Sequence, residues 1–174
     1  MSVLLLSPPL QVGTAAIERL IGQGDEVRVI EADRDLAARW KSLGAYVALG
    51  ASDDPDLIER AARSCRTMVL FGLDDAGLPR LETALEAVAP TTVDRVVAVA
   101  TGRGTRCLDL LRSQATDYVF LRASRPRTFW SRSSTTPFAI AEAIDAADDL
   151  AGAPRLELDL SDRGAADALG LRSG

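Results

Sequence analysis

Apolar stretches of strand length alternate along this chain with stretches whose apolar positions recur every three to four residues. That alternation is the pattern of βαβ units feeding a parallel sheet. A first strand is expected over residues 3–6, a turn over 7–11, and a helix over 12–21 with Ala15, Ala16 and Leu20 as a small-residue packing face. Gly22 and Gly24 end that helix. A second strand over 26–31 leads into a helix over 35–43, stopped at Gly44, and a third strand over 46–49. Asp54 and Pro55 open the next helix, whose Leu57, Ile58, Ala61 and Ala62 fall at helical spacing. The run 67–71 is apolar enough to predict a central strand. Helices over 78–89, 105–114 and 137–150 then alternate with strands over 95–100, 118–121 and 155–159. The fold class that follows is α/β, a doubly wound and mostly parallel sheet with helices on both faces, over residues 1–160. The tail, 161–174, reads as partly helical.

Composition narrows the chemistry. At 174 residues, 47% hydrophobic and 26% charged, the chain fits one ordinary globular domain. Met1 to Leu6 lack a basic flank, and Pro8 and Pro9 break the apolar run, so neither a signal peptide nor a membrane span is expected and the reading is a cytoplasmic protein. Cys65 and Cys107 stand far apart in no paired motif and read as buried thiols rather than a disulfide or zinc site. There is no histidine, which removes His-based triads and His-ligated metals. A net charge of −5 argues against nucleic acid as partner.

Four stretches, in order, resemble the atypical short-chain dehydrogenases of the NmrA-like kind. Asp25-Glu26-Val27-Arg28-Val29, following Gly24, is similar to the family's second strand, and Gly50 to Leu57 to its "G-D-x-x-D-P-x-x-L" turn. Leu111 to Arg122 is similar to "L-x-x-S-G-L-D-Y-T-I-L-R-P", and Thr136 to Ile144 to the late "V-x-D-V-A-x-A-I" helix. The resemblance implies a Rossmann-type domain that binds NAD(P). It also implies cofactor positions at Ser7, Leu10, Gly13, Glu31, Ala51, Ser52 and Gly72.

The phosphate-binding loop departs from that pattern. Where the family has G-x-x-G-x-x-G, this chain reads Ser7-Pro8-Pro9-Leu10-Gln11-Val12-Gly13. Only Gly13 remains, with a role in close packing. Leu10 is expected in the path of a diphosphate, and the two prolines remove N–H donors and fix φ. Glu31 at the end of the second strand is a ribose-hydroxyl acceptor that favours NAD over NADP, or else a solvated strand-end residue. Ala51 replaces the family's aspartate near the adenine. The Tyr-x-x-x-Lys pair of classical members is absent, because Tyr46, Tyr118 and Lys41 stand in no such spacing. The site is therefore expected to be degenerate: no cofactor, and NAD if any.

A basic edge offers another use. Thr101, Arg103 and Arg106 follow the fifth strand, and Arg122, Arg125 and Arg127 follow the sixth, with Phe129, Trp130 and Arg132 beyond. These residues suit an anionic small molecule or a partner protein, or form a solvated loop. The main expectation is a non-catalytic regulatory, sensing or assembly protein, a pseudoenzyme, able to form a homodimer as the wider family does. The alternative is an NAD(P)-dependent oxidoreductase or epimerase-like enzyme with non-standard cofactor binding. A third reading is a regulatory nucleotide-binding domain like those gating potassium transport.

Overall fold

In the computed structural model, residues 2–102, 104–114, 116–123, 136–152 and 155–160 are described. Arg103, Arg125, Arg127, Phe129, Trp130, Arg132 and the tail 161–174 lie outside them. The strands are β1 (Ser2–Leu6), β2 (Glu26–Glu31), β3 (Tyr46–Leu49), β4 (Thr67–Phe71), β5 (Arg95–Ala100), β6 (Asp117–Arg122) and β7 (Arg155–Asp159). They form one seven-stranded sheet in the order β3-β2-β1-β4-β5-β6-β7. Every pairing is parallel. The helices are α1 (Leu10–Gly22), α2 (Arg34–Ser42), α3 (Pro55–Ala62), α4 (Leu78–Val88), α5 (Thr105–Ser113) and α6 (Pro137–Asp149), with a 3-10 turn at Asp75–Gly77.

Strand side chains alternate between faces, so each strand feeds two cores. Val3, Leu5, Val29, Val69, Val97 and Val119 face Ala16, Ile17 and Leu20 of α1, Trp40 of α2 and Ile144 of α6. Leu4, Leu6, Met68, Leu70, Ala98 and Phe120 face Ile58 of α3, Leu81 and Leu85 of α4, and Leu108 and Leu111 of α5. β4 is fully buried and lies at the centre of the sheet. The one polar side chain in it, Thr67, donates to Asp148 of α6.

That contact belongs to a polar clamp at the amino edge of the sheet. Asp148 is buried and pairs with Arg66 at 2.9 Å. Arg95 donates to the carbonyls of Ala147, Asp148 and Leu150 at 2.9, 2.6 and 2.8 Å. The last turn of α6 has unpaired carbonyls and a negative dipole end, and Arg95 satisfies both. On the flank, Arg19 of α1 holds Asp145 of α6 at 2.6 Å.

Cys65 and Cys107 are free, buried thiols. Among the described residues no helix is long and apolar enough to cross a membrane.

Candidate functional site

The strand order runs outward from β1 toward β3 on one side and from β4 toward β7 on the other. In an open parallel sheet a crevice forms at such a reversal, beyond the carboxyl ends of the strands, and that is where ligands bind. Here that reversal falls between Leu6 and Phe71, the last residues of β1 and β4, which makes the space beyond them the candidate crevice.

The loop leaving β1 keeps a glycine-like path without a glycine. Ser7 adopts a left-handed backbone, φ 46°, and its N–H donates to the carbonyl of Ile30 at 2.9 Å. A non-glycine residue in this region costs of order 1 kcal/mol. Pro8 is buried, and Pro9, at φ −59°, is the N-cap of α1. The turn expected through Gln11 is therefore shorter, because the fixed φ of Pro9 lets the helix begin at Leu10. No side chain caps α1 and no acidic residue sits in its first turn.

Two loop positions gain neighbours from other helices in three dimensions. The Leu10 side chain, expected in the path of a diphosphate, lines a groove of about 450 Å³ on the flank of α1 with Thr14, Glu18, Arg39 and Phe138. Gly13 is packed closely beneath the loop and α2: a Cβ there would stand 2.9 Å from both Pro8 Cβ and Trp40 Cη2.

Glu31 turns inward. Only 6% exposed, it accepts the Asp33 N–H at 3.1 Å and the indole N–H of Trp40 at 3.2 Å. The sequence left it open between ribose acceptor and solvated residue. The structure gives it a third place, as the internal anchor of α2. Ala51 is exposed and Ser52 half-buried, both just past β3 at the same edge. Gly72, past β4, has φ 70° with open space where a Cβ would project.

The basic edge has acidic neighbours thirty residues away in sequence. Asp75 accepts the backbone N–H of Arg106 at 3.1 Å, and Asp74 accepts those of Ala76 and Gly77 at 3.0 and 3.1 Å. At Gly104, φ 52°, a Cβ would stand 3.0 Å from the carbonyl oxygen of Leu73. Thr101 is half-buried beside them and makes its own interaction. Arg122 lies over the Phe120 ring at 6.0 Å, at the end of β6. Of the candidate arginines, the two described stand on different elements, Arg106 in the first turn of α5 and Arg122 at the end of β6.

Sequence reasoning missed a cation that sits at the reversal itself. Arg80, third residue of α4, donates from Nη2 to the carbonyl of Leu6 at 2.9 Å and from Nη1 to that of Phe71 at 3.3 Å. It ties together the ends of the two strands that flank the reversal. Burial pushes its guanidinium below its ordinary value, and the field of Asp53 acts the other way. One signal was legible: a cation in the first turn of a helix opposes the dipole, so something else must hold it there.

No protein-family model and no curated protein sequence matches the chain. Solved structures do. An anaerobilin reductase of Escherichia coli is similar at TM-score 0.72 and 13% identity, over 91% of this chain and 96% of that one. An NADPH-dependent quinone oxidoreductase of Escherichia coli, in complex with NADPH, reaches TM-score 0.75 at 14% identity, over 90% of this chain and 68% of that one. The Citrobacter triphenylmethane reductase complexed with NADP(H) gives 0.73 at 13% identity, over 90% and 68%. The chain has the fold of the NAD(P)-binding Rossmann reductases. The expectation drawn from the NmrA-like resemblance holds at the level of architecture.

Against that fold, the two tyrosines are misplaced for proton transfer at the crevice. Tyr46 opens β3 and is exposed, while Tyr118, near the start of β6, is 4% exposed with Arg155 over its ring. Both stand toward the amino ends of their strands. Lys41 lies in the last turn of α2.

Proposed function

We propose that this chain binds a nicotinamide dinucleotide across the carboxyl ends of β1 and β4, as an NAD(P)-dependent oxidoreductase or epimerase-like protein with a non-standard phosphate loop. The observation that carries this reading is Ser7, held left-handed at the first position of the glycine pattern. A strained conformation is kept where it serves a site, and here it keeps the chain's path around the crevice after the glycine is gone. The residues fit a dinucleotide in two further respects: α1 starts beside the crevice without a side-chain cap, and Gly72 leaves open space past β4. Two of the similar structures were solved with NADP(H) or NADPH. The expectation of no cofactor gives way to this reading. A bound dinucleotide supplies hydride chemistry; this chain's residues bind and orient it. Glu31 no longer supports a preference for NAD, since its carboxylate is used internally.

Titration of the full chain with NAD, NADH, NADP and NADPH by calorimetry tests the reading. Micromolar binding of at least one is the expected result. Absence of heat at millimolar cofactor would return the regulatory or assembly reading, which the distance of both tyrosines from the crevice favours.

A further inference from the structure

Arg80 is a half-buried cation whose partners, among the described residues, are two neutral carbonyls and no carboxylate within ion-pair distance. Desolvating a charge is costly unless an opposite charge compensates it. Carbonyl dipoles satisfy hydrogen-bonding capacity but leave the net charge in place. The position adds to the cost, since Arg80 stands in the first turn of α4, where the helix dipole repels a cation. Asp53 contributes only through its field.

The placement is also where anionic recognition is short of donors. Pro8 and Pro9 have no N–H to offer a phosphate at the end of β1. A guanidinium carries five N–H donors in a planar fork suited to phosphate oxygens. Arg80 spends one N–H of each terminal nitrogen on Leu6 and Phe71, and the second on each remains uncommitted among the described residues.

We propose that Arg80 is the anion-binding residue of the crevice between β1 and β4, and that it takes a phosphate or diphosphate group in place of the missing loop N–H groups. The carbonyls of Leu6 and Phe71 position the fork, and the ligand supplies the missing negative charge. That the phosphate is part of a nicotinamide dinucleotide rests on the function proposed above; the role of Arg80 toward the phosphate itself does not.

Calorimetry of the full chain with sodium pyrophosphate, NADH and adenosine separates the two. Pyrophosphate and NADH are expected to bind the unchanged chain and to weaken tenfold or more in Arg80→Gln, while Arg63→Gln, the same charge change on an exposed residue after α3, leaves both unchanged. Adenosine, lacking phosphate, shows no dependence on Arg80. Pyrophosphate binding that depends on Arg80, with no NADH binding, upholds the anion site and sinks the dinucleotide reading. Equal NADH binding by the unchanged chain and Arg80→Gln does the reverse. Tighter binding by Arg80→Gln also overturns the proposal, because it would make Arg80 an occupant of the crevice rather than its receptor. Should circular dichroism show Arg80→Gln unfolded, Arg80→Lys carries the same comparison: it keeps the charge, loses the fork, and is expected to bind pyrophosphate several-fold more weakly, with unchanged binding counting against the proposal.

Discussion

The indole N–H of Trp40 donates to the carboxylate of Glu31 at 3.2 Å, joining the end of β2 to the last turn of α2 inside the domain. Trp40 is fully buried, so no water can replace that acceptor. Glu31→Ala orphans a buried donor and the Asp33 N–H together, and is expected to cost roughly 1–3 kcal/mol. Urea denaturation measures this; an unchanged midpoint would show that Glu31 is free for a ligand after all.

Gly13→Ala sets two effects against each other. Alanine is the better helix former by about 1 kcal/mol, but its Cβ would stand 2.9 Å from Pro8 and from Trp40, two buried rings with little room to move. Overpacking of this kind costs about 1–3 kcal/mol. A net loss of about 1 kcal/mol or more is expected in thermal or urea unfolding, and a gain would mean that the loop yields.

Ser7 should accept glycine far better than a branched side chain. Glycine relieves the left-handed conformation but adds freedom to the unfolded chain, so Ser7→Gly is expected within about 0.5 kcal/mol of the original. Ser7→Val, branched at Cβ and strained at φ 46°, is expected to lose roughly 1–2 kcal/mol. The same two variants compared by denaturation decide whether the backbone is held as described, since equal stabilities would argue against it.

Most of the architecture was legible because periodicity reports it directly. The strands at Glu26–Glu31, Thr67–Phe71 and Arg95–Ala100 stand where the apolar runs placed them, and the burial of Thr67–Phe71 followed from its composition. The site was legible only in part. A motif read along the chain shows that the glycine of position 7 is lost, yet not that Ser7 keeps its conformation. It shows arginines after the fifth and sixth strands, but not Asp74 and Asp75, which fold in from the loop after β4. For Arg80 only its unfavourable place in a first helical turn was legible, and its partners were not: Leu6 and Phe71 are 74 and 9 residues away. For Glu31 the solvated alternative fails because the strand end implies solvent, whereas Trp40 on the next helix covers it.

Asp148 tests the clamp at the opposite edge. Removing its carboxylate by Asp148→Ala leaves the buried hydroxyl of Thr67 without its partner and Arg66 with only the backbone carbonyl of residue 148. Breaking a buried pair in this way costs about 3–5 kcal/mol, with the low end expected because the Arg66 side chain is 28% exposed. A change below about 1 kcal/mol in chemical denaturation would show that Arg95 alone holds the end of α6.

Burial pushes the Cys65 thiol up to about 11 from its ordinary 9.0, with Arg28 opposing and Glu26 adding slightly. The folded state therefore holds this proton more tightly than the unfolded chain. Its contribution to stability is complete below pH 9 and is lost as pH rises toward about 11. The unfolding midpoint should fall less steeply over that window in Cys65→Ala than in the unchanged chain. Parallel curves would place the thiol in contact with water.

The proposed dinucleotide site is the reversal between β1 and β4, where the loop has lost its glycines. Amide chemical-shift mapping of the nitrogen-15-labelled chain with NADH and NADPH tests it most directly. Shifts concentrated at Ser7, Gly72 and Leu73 are the expected result. Shifts confined to Thr14, Glu18 and Phe138 on the α1 flank, or none at millimolar cofactor, would contradict it.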